Sequence, residues 1–337
     1  MNTMNTPSNA MPEPSRNSQT TDPTLNNSPV VAPALLSATR PFYWSVRREL
    51  WENRSLYVAP LAVAAIYLVG FTISLIWLPN NMREFWMPHT MRELPSLNPA
   101  DQRIDLAMPY THAAMLLMLI AFIVGIFYSL DALHGERRDR TILFWKSLPV
   151  SDLSTVLSKA SIPLVVLPLL VFVVTITLQQ IMRLLSLAVL AANGGGAETL
   201  WARLPFFQMD LVLLYSLTVL AFWHAPIYCW LLLVSGWARR ATFLWAVLPP
   251  LALAAVENIA FHTAYLGAIL HDRLFGFSAA AFDLKDKNGV PIDAHFIPLE
   301  QLAPGRLLSN PSLWLGLGFA AVCLAAAVRL RRYREPI

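Results

Sequence analysis

The chain has 337 residues, of which 56% are apolar and only 14% charged, with a mean hydropathy of +0.49; soluble domains run at about 45–50% and about 25%. That balance excludes an ordinary soluble domain and implies an integral membrane protein. The net charge of +4 and the pI near 9.2 do not argue for nucleic-acid binding, because no basic patch with interleaved aromatics occurs and the placement of charges matters more than their sum.

From Met1 to about Leu36 the chain is rich in Asn, Ser, Thr and Pro. Such a segment buries too little to offset its ordering entropy, so residues 1–36 are expected to be a disordered tail. Nothing before Tyr57 has the basic start, short apolar core and cleavage site of a secretory signal. The first span therefore reads as an uncleaved anchor. Ser37 to Arg54 places Phe42, Val46 and Leu50 on one helical stripe, widened by Tyr43 and Trp51, with arginines opposite. That pattern predicts an amphipathic helix lying at the membrane interface.

Six apolar runs follow: Tyr57 to Leu78, Met108 to Leu130, Ile162 to Met182, Leu211 to Val234, Phe243 to Ile269 and Ser312 to Leu330. At about 1.5 Å per residue they are mostly long enough for a hydrocarbon core of about 30 Å. The expected fold is all-α, with six transmembrane helices. Cys229 and Cys323 lie inside such runs, where a thiol behaves as a small hydrophobe and a disulfide framework is not expected. Pro60, Pro109, Pro163, Pro168, Pro226, Pro249 and Pro250 fall in or beside the spans, where proline is tolerated and can mark a hinge.

Basic residues in short loops stay cytoplasmic. One side carries Arg40, Arg47, Arg48 and Arg54, then Arg137, Arg138, Arg140, Lys146 and Lys159, then Arg239 and Arg240, then Arg329, Arg331, Arg332 and Arg334, fifteen in all. The other carries Arg83, Arg92, Arg103, Arg183, Arg203, Arg273, Lys285, Lys287 and Arg306, nine over longer loops. Both termini are predicted to be cytoplasmic, and so is the connection between spans two and three.

That connection, Tyr128 to Ala160, is a charged stretch set directly between two apolar runs. Glu136 precedes Arg140 by four residues, a spacing that supports a helix. Ile142, Leu143, Phe144, Trp145 and Leu148 form a run too short to span. Pro149 breaks it, and Ser151 reads as the N-cap of the helix that becomes span three. A short helix parallel to the membrane is the economical structure, and a plain loop lying on lipid is the alternative.

The segments FYWSVRRELWENRSLYVAPL and YSLDALHGERRDRTILFWKSLPVSDLSTVLSKA, with six spans and cytoplasmic ends, resemble the permease subunits of type-2 ABC exporters. The resemblance covers most of Phe42 to Arg334, so that residues 37–334 would form the permease domain. It implies that the cytoplasmic helix between spans two and three couples the permease to a separate ATP-binding subunit. Glu136, Arg137, Arg138, Asp139 and Arg140, with Ser147, Leu148, Pro149 and Ser151, would carry that contact. It further implies a second permease copy, identical or not, with spans one, two and five lining the path between the copies, and a bacterial-type inner membrane. The tail before residue 37 and the external segment Asp272 to Pro311 are longer than the family pattern.

No nucleotide site is expected in this chain: GxxxxGK followed by Ser or Thr is absent, and the cluster Gly194 to Gly196 lacks the lysine. ATP and magnesium would belong to the partner subunit. Glu257, Asn258 and His262 are polar residues within an apolar run, which makes them candidates for the transport path. Asn258 and His262 are four apart and would share a helix face. Gln179, Gln180 and Arg183 are expected to close span three at the outer interface, and His112 and His224 read as packing residues. An intramembrane hydrolase using Glu257 and His262 is a second class, but HExxH and GxSxG are absent and no metal site follows from the histidine spacing. A membrane scaffold or sensor is a third.

Overall fold

The computed structural model describes residues 39–76, 99–139, 151–192, 204–283 and 297–333, all within the compact unit Thr39–Ile337. The expected tail and the stretch from Arg140 to Val150 lie outside them. Among the described residues the architecture is helical, with no strand beyond an isolated bridge between Phe282 and Leu302. Six helical segments are long and apolar enough to cross a membrane: Ser55–Leu75, Asp105–Arg138, Asp152–Val189, Phe206–Trp237, Thr242–Phe261 and Pro311–Tyr333.

Helix α1 (Thr39–Glu52) turns Val46 and Leu50 onto the core and leaves Tyr43, Trp44 and Trp51 exposed. Arg47 covers the last two, its guanidinium 5.1 Å from the Trp44 ring centre and 4.6 Å from that of Trp51. Helices α2 (Ser55–Ile76) and α3 (Pro99–Asp131) follow. They are tied where Pro109 disturbs α3: the Tyr67 hydroxyl donates to the Pro109 carbonyl at 2.7 Å. The Gln179 amide donates to the next carbonyl, that of Tyr110, at 3.1 Å. In a bilayer, where apolar contact gives little net drive between helices, such lateral hydrogen bonds and close packing hold spans together.

A five-residue helix, α4 (His134–Arg138), ends the second span's run. Helix α5 (Asp152–Ser161) begins at Ser151, whose hydroxyl accepts the Ser154 N–H at 3.1 Å, the N-cap expected from the sequence. A π turn, Ile162–Val166, joins it to α6 (Leu167–Ala192). The proline ring of Pro163 would strike the carbonyl four residues back in a regular α-helix, and the wider turn relieves that contact.

Helix α7 (Phe206–Trp237) is the hub, packed against α12 (Pro311–Tyr333), α3 and α6. Gly125 of α3 allows the closest approach, since a Cβ there would stand 2.9 Å from the Tyr228 ring of α7. The fifth apolar run, expected to be continuous from Phe243 to Ile269, is broken in the structure. Helix α8 (Thr242–Phe261) ends at His262, which is left-handed at φ 52°, and α9 (Tyr265–Phe275) starts a new direction. Helices α10 (Phe277–Ala281) and α11 (Pro304–Ser309) complete the region before α12.

Arg273 of α9 is the pin of that region. Its guanidinium donates to the carbonyl of Ser312 and, at 3.0 Å, to the hydroxyl of the same residue, and stacks 4.8 Å from the Trp223 ring centre. Burial pulls its pKa below the ordinary arginine value, and Asp272 acts in the opposite sense. Gly316 makes the room, since a Cβ there would lie 2.5 Å from the guanidinium.

Candidate functional site

The charged residues around the expected coupling segment converge on one end of the bundle. Three helices bring a charge there on an otherwise apolar stripe. On α1, Glu49 lies three residues after Val46; on α5, Lys159 lies three after Val156; on α12, Arg331 continues the line Leu313, Gly316, Ala320, Cys323, Ala327. A charge at that spacing is carried to the buried face by the helix itself.

Lys159 stands at the centre. Its ammonium lies 2.7 Å from a Glu49 oxygen and 3.1 Å from Glu136. The other Glu136 oxygen takes Arg331 at 2.5 Å, and Arg331 reaches Asp152 at 3.2 Å. Tyr128, at the end of α3, donates its hydroxyl to Glu49 at 2.8 Å. Glu49, Glu136, Lys159 and Arg331 are all buried, so two carboxylates face two cations out of solvent. The cluster joins α1, α3, α4, α5 and α12 at one point.

A second set of bonds fixes α4 to the end of α7. The Ser235 hydroxyl, wholly buried, accepts the N–H groups of Leu133 and His134 at 3.0 and 2.9 Å. Arg137 donates to the carbonyl of Gly236 at 2.8 Å, at the C-terminus of α7, where unpaired carbonyls and the helix dipole favour a cation. Ends of two helices thus satisfy one another.

The structure divides the residues expected at the coupling contact. Glu136 and Arg137 are turned inward, into the ion-pair cluster and the α7 terminus. Arg138 and Asp139 are outward, paired with each other at 3.1 Å with more than half of each side chain exposed. Ser151 caps α5. Arg140, Ser147, Leu148 and Pro149 lie outside the described residues, as does the helix expected there.

The polar group of the fifth run is arranged differently from the sequence expectation. Glu257 accepts the Thr263 hydroxyl at 2.9 Å and the N–H groups of Tyr265 and Leu266, each at 2.8 Å. It caps the free amides at the start of α9. Asn258 and His262 do not share a helix face, because α8 ends before His262; the Asn258 carbonyl accepts the His262 N–H at 3.1 Å as the chain turns. Among the described residues no group of His, Cys, Asp and Glu is arranged to hold a metal ion.

Glu49, Tyr128 and Asp152 were not singled out from the sequence, and Lys159 and Arg331 entered only the count of cytoplasmic charges. The signal was present: each of Glu49, Lys159 and Arg331 interrupts an apolar stripe at helical spacing. Their partners lie far along the chain and could not be paired from it. Set against protein families, curated proteins and solved structures, the chain matches none.

Proposed function

We propose that the chain is the permease subunit of an ATP-driven exporter of the type-2 ABC class, acting as a pair of permeases with separate ATP-binding subunits that carry ATP and magnesium. In this reading the membrane is a bacterial-type inner membrane and both termini are cytoplasmic. Helix α1 lies at the interface, and the connection from Glu136 to Ser151 carries a cytoplasmic coupling helix. The substrate is an amphiphilic or apolar molecule moved outward by alternating access.

One observation carries the reading: the charged connection after the second span is tied inward to four helices, α1, α5, α7 and α12, while Arg138 and Asp139 face out. A buried ion-pair cluster is poor evidence of added stability, since desolvation offsets most of the attraction. Its value lies in fixing geometry. A displacement applied at Arg138 and Asp139 reaches α5 through Glu136 and Lys159, α12 through Arg331, α1 through Glu49 and α7 through Arg137. The π turn at Pro163 lies directly beyond Lys159 and offers a place for α6 to bend relative to α5. Glu257 is committed to capping α9, so nothing favours a hydrolase built on Glu257 and His262.

The test is purification of the tagged chain from native membranes in mild detergent, with identification of co-purifying chains and assay of ATP hydrolysis. The expected result is an ATP-binding subunit that is recovered with the native chain and lost with Arg138→Glu. Recovery of the chain alone in several detergents would overturn the exporter reading.

A further inference from the structure

At the end of the bundle away from the ion-pair cluster, α3, α6, α7 and α10 line a half-open cavity of about 200 Å³. We propose that it is a binding site for a neutral single-chain amphiphile with one hydroxyl group, of the fatty-alcohol kind.

Size sets the first limit. Pockets for drug-sized ligands are about 300–1,000 Å³, whereas an apolar cavity of about 150 Å³ takes a benzene ring. This cavity suits a slim chain. Its walls are apolar, and Met115, Met118 and Met209 give them the adaptable thioether surface that moulds to flexible ligands. Met115 is 44% exposed and marks the open side, level with the spans, so that a chain enters laterally from the bilayer.

Charge sets the second limit. Among the described residues no ionisable side chain lines the cavity, and an ion placed against them would lose its hydration without a partner. The polar wall groups among the described residues, Thr111, Gln179, Ser216 and Ser278, are neutral, and the Thr111 hydroxyl donates to the Ala107 carbonyl at 3.1 Å. Ser216 spends its proton on the Val212 carbonyl at 2.7 Å and so offers only lone pairs. Gln179, buried, uses one N–H on Tyr110 and retains an amide oxygen and a second N–H. A hydroxyl, which both donates and accepts, complements that set; an ether lacks the donor, and a carboxylate brings a charge.

The site belongs to this chain alone and stands whether or not an ATP-binding subunit is its partner. The experiment uses the full chain in lipid nanodiscs with a diazirine-bearing decanol, photolysed and mapped by mass spectrometry. Labelling is expected on the segments Thr111 to Met118 and Met209 to Ser216, several-fold above that on the exposed face of α8. Decanol should displace it, while decanoate and decyl methyl ether should not. Ala114→Trp, which fills the cavity, should abolish it and leave background labelling unchanged. Lining segments labelled no more than α8, or label that persists in a folded Ala114→Trp chain, would remove the site. Equal competition by decanoate, by the ether or by added phospholipid would remove the ligand class. Should Ala114→Trp fail to fold, the competition series on the native chain decides alone.

Discussion

Helices α7 and α8 are consecutive, both apolar and both long enough to span, yet 67% of the apolar stretch of α7 is buried within the chain and only 6% of that of α8. Helix α7 is largely covered. Its buried residues include Leu213, Val219, Trp223, Ala225, Cys229 and Leu232, which are spread around the helix, while Phe207 and Phe222 stay exposed. Helix α8 touches the rest mainly near Ala246, whose carbonyl accepts the Trp230 indole N–H at 3.0 Å, and through Trp245 against Trp237. Phe243, Leu244, Leu248, Leu251, Val256, Ile259 and Phe261 are left uncovered. Hydropathy thus finds a span without saying what it faces, because lipid and protein interior are alike apolar. What separates the two helices is the polar bonding of α7 at its ends and along its length.

The largest effect expected from testing this contrast is on Trp223→Ala. The ring is 1% exposed, its N–H donates to the Asp272 carbonyl at 3.1 Å, and it supplies the face on which Arg273 stacks. Removing it opens a cavity and loosens α9 from α7, at about 3–5 kcal/mol. The measurement is thermal unfolding of the purified chain, with lost protection of α9 in hydrogen exchange.

Next in size is Ser235→Ala, at the C-terminal end of α7. It leaves the N–H groups of Leu133 and His134 without their acceptor in a buried site, at about 1–3 kcal/mol. Hydrogen exchange at those two amides should accelerate well before that of the α7 interior. An unchanged rate would mean that α4 is held to the end of α7 by the side chains of Arg137 and His134. Glu257→Gln is expected to be smaller again. The amide oxygen still accepts one N–H, but the charge that favours the start of α9 is lost. The expected readout is faster exchange at Tyr265 and Leu266 with little change in melting temperature; a collapse of the whole chain would give Glu257 a role beyond the cap.

The features legible in the sequence were those set by neighbours in the chain. Six apolar runs became six span-length helices, and Ser151 became an N-cap because its acceptor function needs only the next turn. Features set by distant residues were not legible. Glu49 and Lys159 are 110 positions apart, and nothing local says which acid a buried lysine meets. The fifth span was read too long because the apolar run continues through Ile269, while the turn at His262 is made by Glu257 reaching forward to amides eight and nine residues on. Glu136 and Arg137 are partner contacts only by the resemblance, and they turn inward because Glu136 meets Lys159 and Arg331 while Arg137 meets the Gly236 carbonyl, partners that no local pattern reveals.

The smallest expected effect is on α8 itself, and it separates two ways of covering that helix. Leu251 is 62% exposed, so Leu251→Ala removes little contact within the chain and should alter its unfolding by no more than about 0.5 kcal/mol. If lipid alone covers α8, the variant behaves as the native chain at every protein concentration. If a second copy packs there, as the proposed pairing of permeases requires, the same change leaves the single chain intact and lowers the fraction of dimer in nanodiscs. Leu169→Ala, equally apolar and 53% exposed on α6, is the control, since that helix is not expected to meet the second copy. A dimer weakened by Leu251→Ala and not by Leu169→Ala places the contact on α8; equal behaviour of the two assigns the exposed face of α8 to lipid.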